Sequence, residues 1–249
     1  MYKIYGITDV GKVRQNNEDG FVVNRALITE GDYEIEVLSD FIAVVADGMG
    51  GENAGEIASF LALESFATRK HIQSKEELKH FIEHDIQNKL FQHMERHPET
   101  RGMGATLAGV LCNNHKITIF HIGDSRVYRF RRPFFKRLTK DHSLVEMLYA
   151  AGQILFEEKQ HHPKRNILLR SLGQKNVEVE IAELLSPPEI GDVFLLCSDG
   201  LTEYVTDEEI EMCLSSNEPL EKQGKQLVEL AKNRGGADNI TIVLIKRDN

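Results

Sequence analysis

Four short apolar runs follow one another between residues 106 and 138 with only turns between them, and this succession constrains the fold most. Thr106 to Cys112 and Lys116 to Ile122 flank Asn113-Asn114-His115, a hairpin turn, while Val127 to Phe130 and Phe135 to Leu138 flank Pro133. Parallel neighbours need a crossover of about a dozen residues or more, which this stretch lacks. Antiparallel sheets are therefore expected. Further buried strands are read at Val37 to Ala46, stopped by Asp47-Gly48, at Val193 to Cys197 and at Ile240 to Ile245. Helices are expected from about Ala54 to Arg69, along the stripe Leu78, Ile82, Ile86, Leu90 and Met94, and over Asp207 to Leu214 and Leu220 to Asn233. His97-Pro98 ends the stripe.

A chain of 249 residues, 41% hydrophobic, can bury a sizeable core. No linker, repeat or low-complexity tract divides it, so one domain over residues 1–249 is expected. Met1-Tyr-Lys-Ile-Tyr-Gly lacks the pattern of a signal peptide, and runs such as Phe41 to Ala46 are too short to cross a bilayer. Cys112, Cys197 and Cys213 form no C-x-x-C pair. These features predict a cytoplasmic protein with neither membrane contact nor a disulfide framework. A net charge of −9 disfavours nucleic acid as a partner. No heptad or long apolar edge suggests an obligate dimer, so a monomer is expected.

Aspartates stand where the apolar runs stop. Phe41 to Ala46 meets Asp47-Gly48, Ile117 to Gly123 meets Asp124-Ser125, and Val193 to Ser198 meets Asp199-Gly200. Asp238-Asn239 precedes Ile240, and Glu18-Asp19 precedes Phe21. Any one of these reads first as a turn, because Asp-Gly is a strong turn signal. Together, strand ends can converge on one rim, where so many carboxylates would repel unless cations sat among them. Oxygen-only ligation points to a hard ion, Mg²⁺ or Mn²⁺. Paired ions of this kind activate water and clamp a phosphoryl group. Arg14 offers a planar fork for the phosphate.

Six motifs in order are similar to those of the metal-dependent protein phosphatases, the type 2C serine/threonine phosphatases, in their bacterial single-domain form. They are Arg14-Gln-Asn-Asn-Glu18-Asp19, Asp47-Gly-Met-Gly-Gly51, Gly102-Met-Gly-Ala-Thr106, Gly123-Asp-Ser-Arg126, Ser198-Asp-Gly-Leu201 and Gly236-Ala-Asp-Asn-Ile-Thr241. The resemblance covers nearly the whole chain. It implies an α+β fold, a four-layer α-β-β-α sandwich of two antiparallel sheets flanked by helix pairs, with a flap subdomain at about 141–173. It implies a phosphoserine/phosphothreonine phosphatase that uses a metal-bound hydroxide without a phospho-enzyme. Two ions, with a third possible, would be held by Asp47 as the bridge, the Gly48 carbonyl, Asp199, Asp238, and Glu18 and Asp19 through waters. Asp124 with Asp199 resembles the third-metal site, Arg14 would bind phosphate, and Thr106 and Asn239 would support the ligands. Partners implied are phosphorylated proteins, a serine/threonine kinase and that kinase's substrates.

Two positions depart from the family pattern. Bacterial relatives carry His where this chain has Glu52, and eukaryotic ones carry His where it has Met49. The leaving-group proton then falls to a metal-bound water, or to His142 or His162 beside the substrate. Gly48-Met-Gly50-Gly-Glu-Asn-Ala-Gly55 is discounted as a dinucleotide loop, since its third glycine is misplaced. The basic run Arg126 to Arg137 reads as a solvated hairpin face. A non-catalytic phosphoprotein adaptor fits the complete ligand set poorly, and a two-metal nuclease fits the acidic charge poorly.

Overall fold

A computed structural model of the chain describes residues 1–50 and 54–248. The strands are β1 (Tyr2–Asp9), β2 (Asp19–Val23), β3 (Ala26–Ile28), β4 (Gly31–Val37), β5 (Phe41–Met49), β6 (Gly104–Ala105), β7 (Leu107–Asn113), β8 (Lys116–Ile122), β9 (Arg126–Arg131), β10 (Phe134–Arg137), β11 (Glu180–Glu183), β12 (Val193–Cys197) and β13 (Ile240–Arg247). The α-helices are α1 (Ala54–Thr68), α2 (Lys75–His80), α3 (Gln87–Arg96), α4 (Leu144–Ala150), α5 (Asp199–Thr202), α6 (Asp207–Ser215) and α7 (Leu220–Asn233). A six-stranded sheet runs β10-β9-β12-β13-β1-β4, and a seven-stranded sheet runs β11-β8-β7-β5-β2-β3 with β6 paired to β5. Every pairing is antiparallel, as the close succession of strands requires.

The central strands are apolar on both faces because each sheet is covered on both. Along β5, Phe41, Ala43 and Val45 enter the core between the sheets, while Val44 and Ala46 pack toward α1. Along β13, Val243 and Ile245 face the other sheet, while Ile240, Ile242 and Leu244 pack with Leu227 and Val228 of α7. The period-two alternation of a strand thus serves two cores at once, which makes the sequence pattern a continuous apolar run. The result is the expected four-layer α-β-β-α sandwich.

Three expectations are corrected. The strand read at Val37 to Ala46 fuses the end of β4 with β5, which are separated by Leu38 to Asp40. Asp47-Gly48 does not stop β5, because Gly48 and Met49 go on to pair with Ala105 and Gly104. The stripe from Leu78 to Met94 lies not on one α-helix but on α2, a π-helical turn (Phe81–Ile86) and α3. A four-residue repeat would drift by about 40° per step around a 3.6-residue helix. The wider π turn takes up that drift, and Leu78, Ile82, Ile86 and Leu90 all stay buried.

Candidate metal centre

Strand direction alone brings the aspartates to one end of each sheet. Asp19 opens β2 and faces Asp47 across the antiparallel β2–β5 pair. β8 runs in the same direction as β5 because both are antiparallel to β7, so Asp124, beyond the end of β8, reaches the same rim. In the other sheet Asp199 follows the end of β12 and Asp238 precedes the start of β13, its antiparallel neighbour. Hydrogen bonds join the rims. Ser198 Oγ donates to Asp19 Oδ2 at 2.7 Å, and the Glu18 N–H donates to Asn239 Oδ1 at 2.8 Å.

The electrostatics confirm the convergence. Burial pushes the Asp47 carboxyl well above its ordinary range, and Asp19, Asp199, Asp124 and Asp238 push it further. Asp199 is raised well above the usual value by burial and by Asp124 and Asp238. Burial lifts Asp19 to about 7 despite hydrogen bonds from Ser198 and Thr241. Asp124 rises to about 6 through burial and the nearby Asp141, with Arg126 opposing. Glu18 is raised by burial, and Arg14 pulls it back. Carboxylates raised in this way are a set awaiting positive charge.

The supporting residues lock the rim. Asp47 and Thr106 exchange main-chain and side-chain bonds: Thr106 N donates to Asp47 O at 2.8 Å and Asp47 N to Thr106 Oγ1 at 3.2 Å. Thr106 Oγ1 lies 2.6 Å from Ser125 Oγ, beside Asp124. Asn239 Nδ2 donates to the Val10 and Asn16 carbonyls, fixing the loop that carries Arg14. Arg14 Nη2 donates to Asp238 Oδ2 at 2.9 Å, and its Nη1 lies 4.0 Å from Glu18 Oε2. Gly48 must lack a side chain, since a Cβ there would lie 2.0 Å from the Gly55 carbonyl oxygen and 2.8 Å from that of Glu18.

His142 is buried against Gly123 and Glu180. It is 8% exposed, its Nδ1 accepts from the Gly123 N–H at 3.2 Å, and its Nε2 faces Glu180 Oε1 at 3.1 Å. His162 lies in the following turn, its Nδ1 accepting from the Lys164 N–H at 3.1 Å. Glu52 lies outside the described residues. The segment 141–173 holds α4 and then irregular turns, and returns to the sheet through the Leu172–Ala105 bridge. Half of the basic run is internally ion-paired: Arg126 and Arg137 bind Asp141, and Arg131 binds Asp192 and Glu189.

Two acidic residues escaped the sequence reading. Glu203 is raised by burial and by Asp238, against the pull of Arg165, whose Nε lies 3.7 Å away and brings the 141–173 segment to the cleft. Glu56, in the first turn of α1, is felt by Glu18. Glu203 lies four residues after Asp199, one turn along the same helical stretch, and that spacing was the available signal.

The donor set is oxygen-rich, with no cysteine in the cluster, and it suits a hard divalent cation. A fold of two packed antiparallel sheets with such a rim defines a metal-dependent phosphoric-monoester hydrolase. The model of the protein phosphatase 2C family matches residues 32–244. The serine/threonine phosphatase stp of Listeria monocytogenes is 35% identical over 248 residues, covering 97% of this chain and 94% of that protein. The structure of the Streptococcus agalactiae serine/threonine phosphatase superposes with a TM-score of 0.85 at 32% identity, covering 100% of both chains. The catalytic domain of the phosphatase PstP, in complex with 2 manganese ions, gives a TM-score of 0.82 at 30% identity, again over 100% of both chains. The chain belongs to the protein phosphatase 2C family. It is a protein serine/threonine phosphatase, metal-dependent like its family and acting on phosphoproteins.

Proposed function

We propose that residues 1–249 act as one catalytic domain in which Asp47, Asp199 and Asp238 hold two Mn²⁺ or Mg²⁺ ions. Asp47 would be shared by both, as the family resemblance implies; it faces Asp19 across its own sheet and lies in the field of Asp199 and Asp238 from the other. The Gly48 carbonyl completes one shell, Glu18 and Asp19 act through waters, and Asp124 with Asp199 takes a third ion. When bound, the ions supply the acidity that makes water a nucleophile and the charge that offsets the phosphoryl oxygens. Arg14 turns its fork from Asp238 to the substrate phosphate, held in reach by Asn239. Thr106 keeps Asp47 and the Asp124 loop in register. Segment 141–173 borders the cleft as a flap, tethered through Arg165 and Glu203.

The substrates proposed are phosphoserine and phosphothreonine proteins, including a serine/threonine kinase and its targets, met by a cytoplasmic monomer. No helix of the described residues is long and apolar enough to cross a membrane. The observation carrying the assignment is geometric: Asp19 and Asp47 face each other across β2 and β5, while Asp199 and Asp238 stand at adjoining ends of β12 and β13 on the other sheet. With a phosphothreonine peptide, a chelator, Asp47→Asn and Asp238→Asn should each abolish turnover. Retained turnover in either variant would overturn the two-ion assignment.

A further inference from the structure

Beside the carboxylate rim, His121, His142 and Glu180 place potential ligand atoms within 4.8 Å of one another. The composition suits a transition metal, but the hydrogen bonds oppose one. The Gly123 N–H points at His142 Nδ1 at 3.2 Å, so the neutral ring keeps its lone pair there and carries its proton on Nε2. His142 Nε2 faces Glu180 Oε1 at 3.1 Å, short in distance though poorly aligned as a hydrogen bond. His121 Nε2 is committed to the Lys140 carbonyl at 2.9 Å. Neither Nε2 keeps a lone pair for an ion.

His142, backed by the other two, instead grips both main-chain polar groups of one residue. The His142 main-chain N–H donates to the Gly123 carbonyl at 2.8 Å while its ring accepts the Gly123 N–H, so a single residue holds both polar groups of the glycine before Asp124. Gly123 adopts φ +101°, a conformation that glycine reaches without steric cost and that the two bonds select. The grip is braced on every side. The His142 ring stacks on His121 with centroids 4.6 Å apart, and His121 and Glu180 pair across β8 and β11. Leu169 N donates to the His142 carbonyl at 2.7 Å. Asp141 is clamped by Arg126 at 2.8 and 3.2 Å and by Arg137.

We propose that His142 is a positioning residue that acts through Gly123 to hold Asp124 in the orientation that completes the third-cation site, with Glu180 selecting the tautomer. This rests on Asp124 being a cation ligand. The ring meets Gly123, Glu180 and His121, so its effect is expected on cation affinity rather than on the reacting atoms.

The chemistry gives a sharp comparison. In His142→Asn an amide oxygen stands near the place of Nδ1 and can still accept from Gly123. His142→Gln carries its amide near Nε2 and loses that bond. Both, with Asp124→Asn, are titrated with Mn²⁺ by calorimetry in the metal-free state and assayed on a phosphothreonine peptide across Mn²⁺ concentrations. We expect His142→Gln to raise the half-activating Mn²⁺ concentration roughly tenfold, the scale of a lost supporting contact. Its peptide KM should stay unchanged, the weakest calorimetric site should weaken in parallel, and His142→Asn should stay close to the parent. Equal effects of Asn and Gln, or none while Asp124→Asn weakens Mn²⁺ binding, overturn the positioning role alone. An Asp124→Asn that binds Mn²⁺ as the parent does overturns the cation reading of Asp124, and the proposal with it. Imidazole ¹⁵N shifts of the parent protein provide a test independent of variant folding: a proton on Nε2 is expected, and a proton on Nδ1 overturns the proposal.

Discussion

Asp19 and Asp47 are directly opposed residues on neighbouring antiparallel strands, two carboxylates in a position where sheets normally place compatible side chains. Like charges so placed destabilise a sheet. Burial lifts Asp19 to about 7 and Asp47 well above its ordinary range, so the opposed pair favours a proton or a cation over two free charges. A bound cation would take the place of such protons.

The metal-free protein should therefore lose stability as pH rises. Raised folded pKa values mean that the stabilising contribution is full below the ordinary value of 3.8 and is lost through about 6 for Asp124 and about 7 for Asp19. Denaturant midpoints of chelator-treated protein should fall between pH 5 and pH 8. Saturating Mn²⁺ should flatten or reverse that slope, because the ions bind the deprotonated set.

Arg14→Ala should weaken kcat/KM for a phosphopeptide through loss of a charged hydrogen bond of about 1.5–3 kcal/mol, roughly ten- to a hundredfold. Arg14→Lys should recover little of it, since a point charge cannot reproduce the fork. Steady-state kinetics at saturating Mn²⁺ check both.

Asn239→Ala removes the acceptor of the Glu18 N–H and the donor to Val10 and Asn16. We expect a loss of about 1–3 kcal/mol in chemical denaturation. Mn²⁺ affinity, read by calorimetry, should fall as well, because Glu18 and Arg14 share that loop.

Gly48→Ala drives a methyl group against two backbone carbonyls. A cost of about 1–3 kcal/mol is expected for such overpacking, together with weaker Mn²⁺ binding. Ile86→Ala, at the end of the π turn and fully buried, should cost about 2–5 kcal/mol without changing Mn²⁺ affinity.

The fold was legible where one strand feeds two cores. β7, β8, β12 and β13 were visible because burial on both faces leaves an unbroken apolar run. β4 was not, since as an edge strand with Asp32, Glu34 and Glu36 turned outward it looks like a polar loop. β1 was hidden partly by Gly6, which a strand reading penalises. Here the glycine makes room for the Phe21 ring, since a Cβ would lie 2.4 Å from it. The π turn left its mark only as an over-regular four-residue repeat. In the site, the aspartates were legible because each carries its own local motif. The hold of His142 on Gly123 was not legible, because the two lie 19 residues apart and the contact joins a ring nitrogen to a main-chain amide.

The bonds from Ser198 to Asp19 and from Glu18 to Asn239 cross at the rim between two plates whose shared interior is largely apolar. Apolar contacts resist separation but discriminate weakly against sliding. The alignment of one plate over the other thus bears on the geometry of the reaction, since Asp19, Asp47 and Asp124 ride on one and Asp199 and Asp238 on the other. Repacking at Val45 or Val243, in the apolar core between the plates, can leave every ligand in place on its own strand and still detune the catalyst.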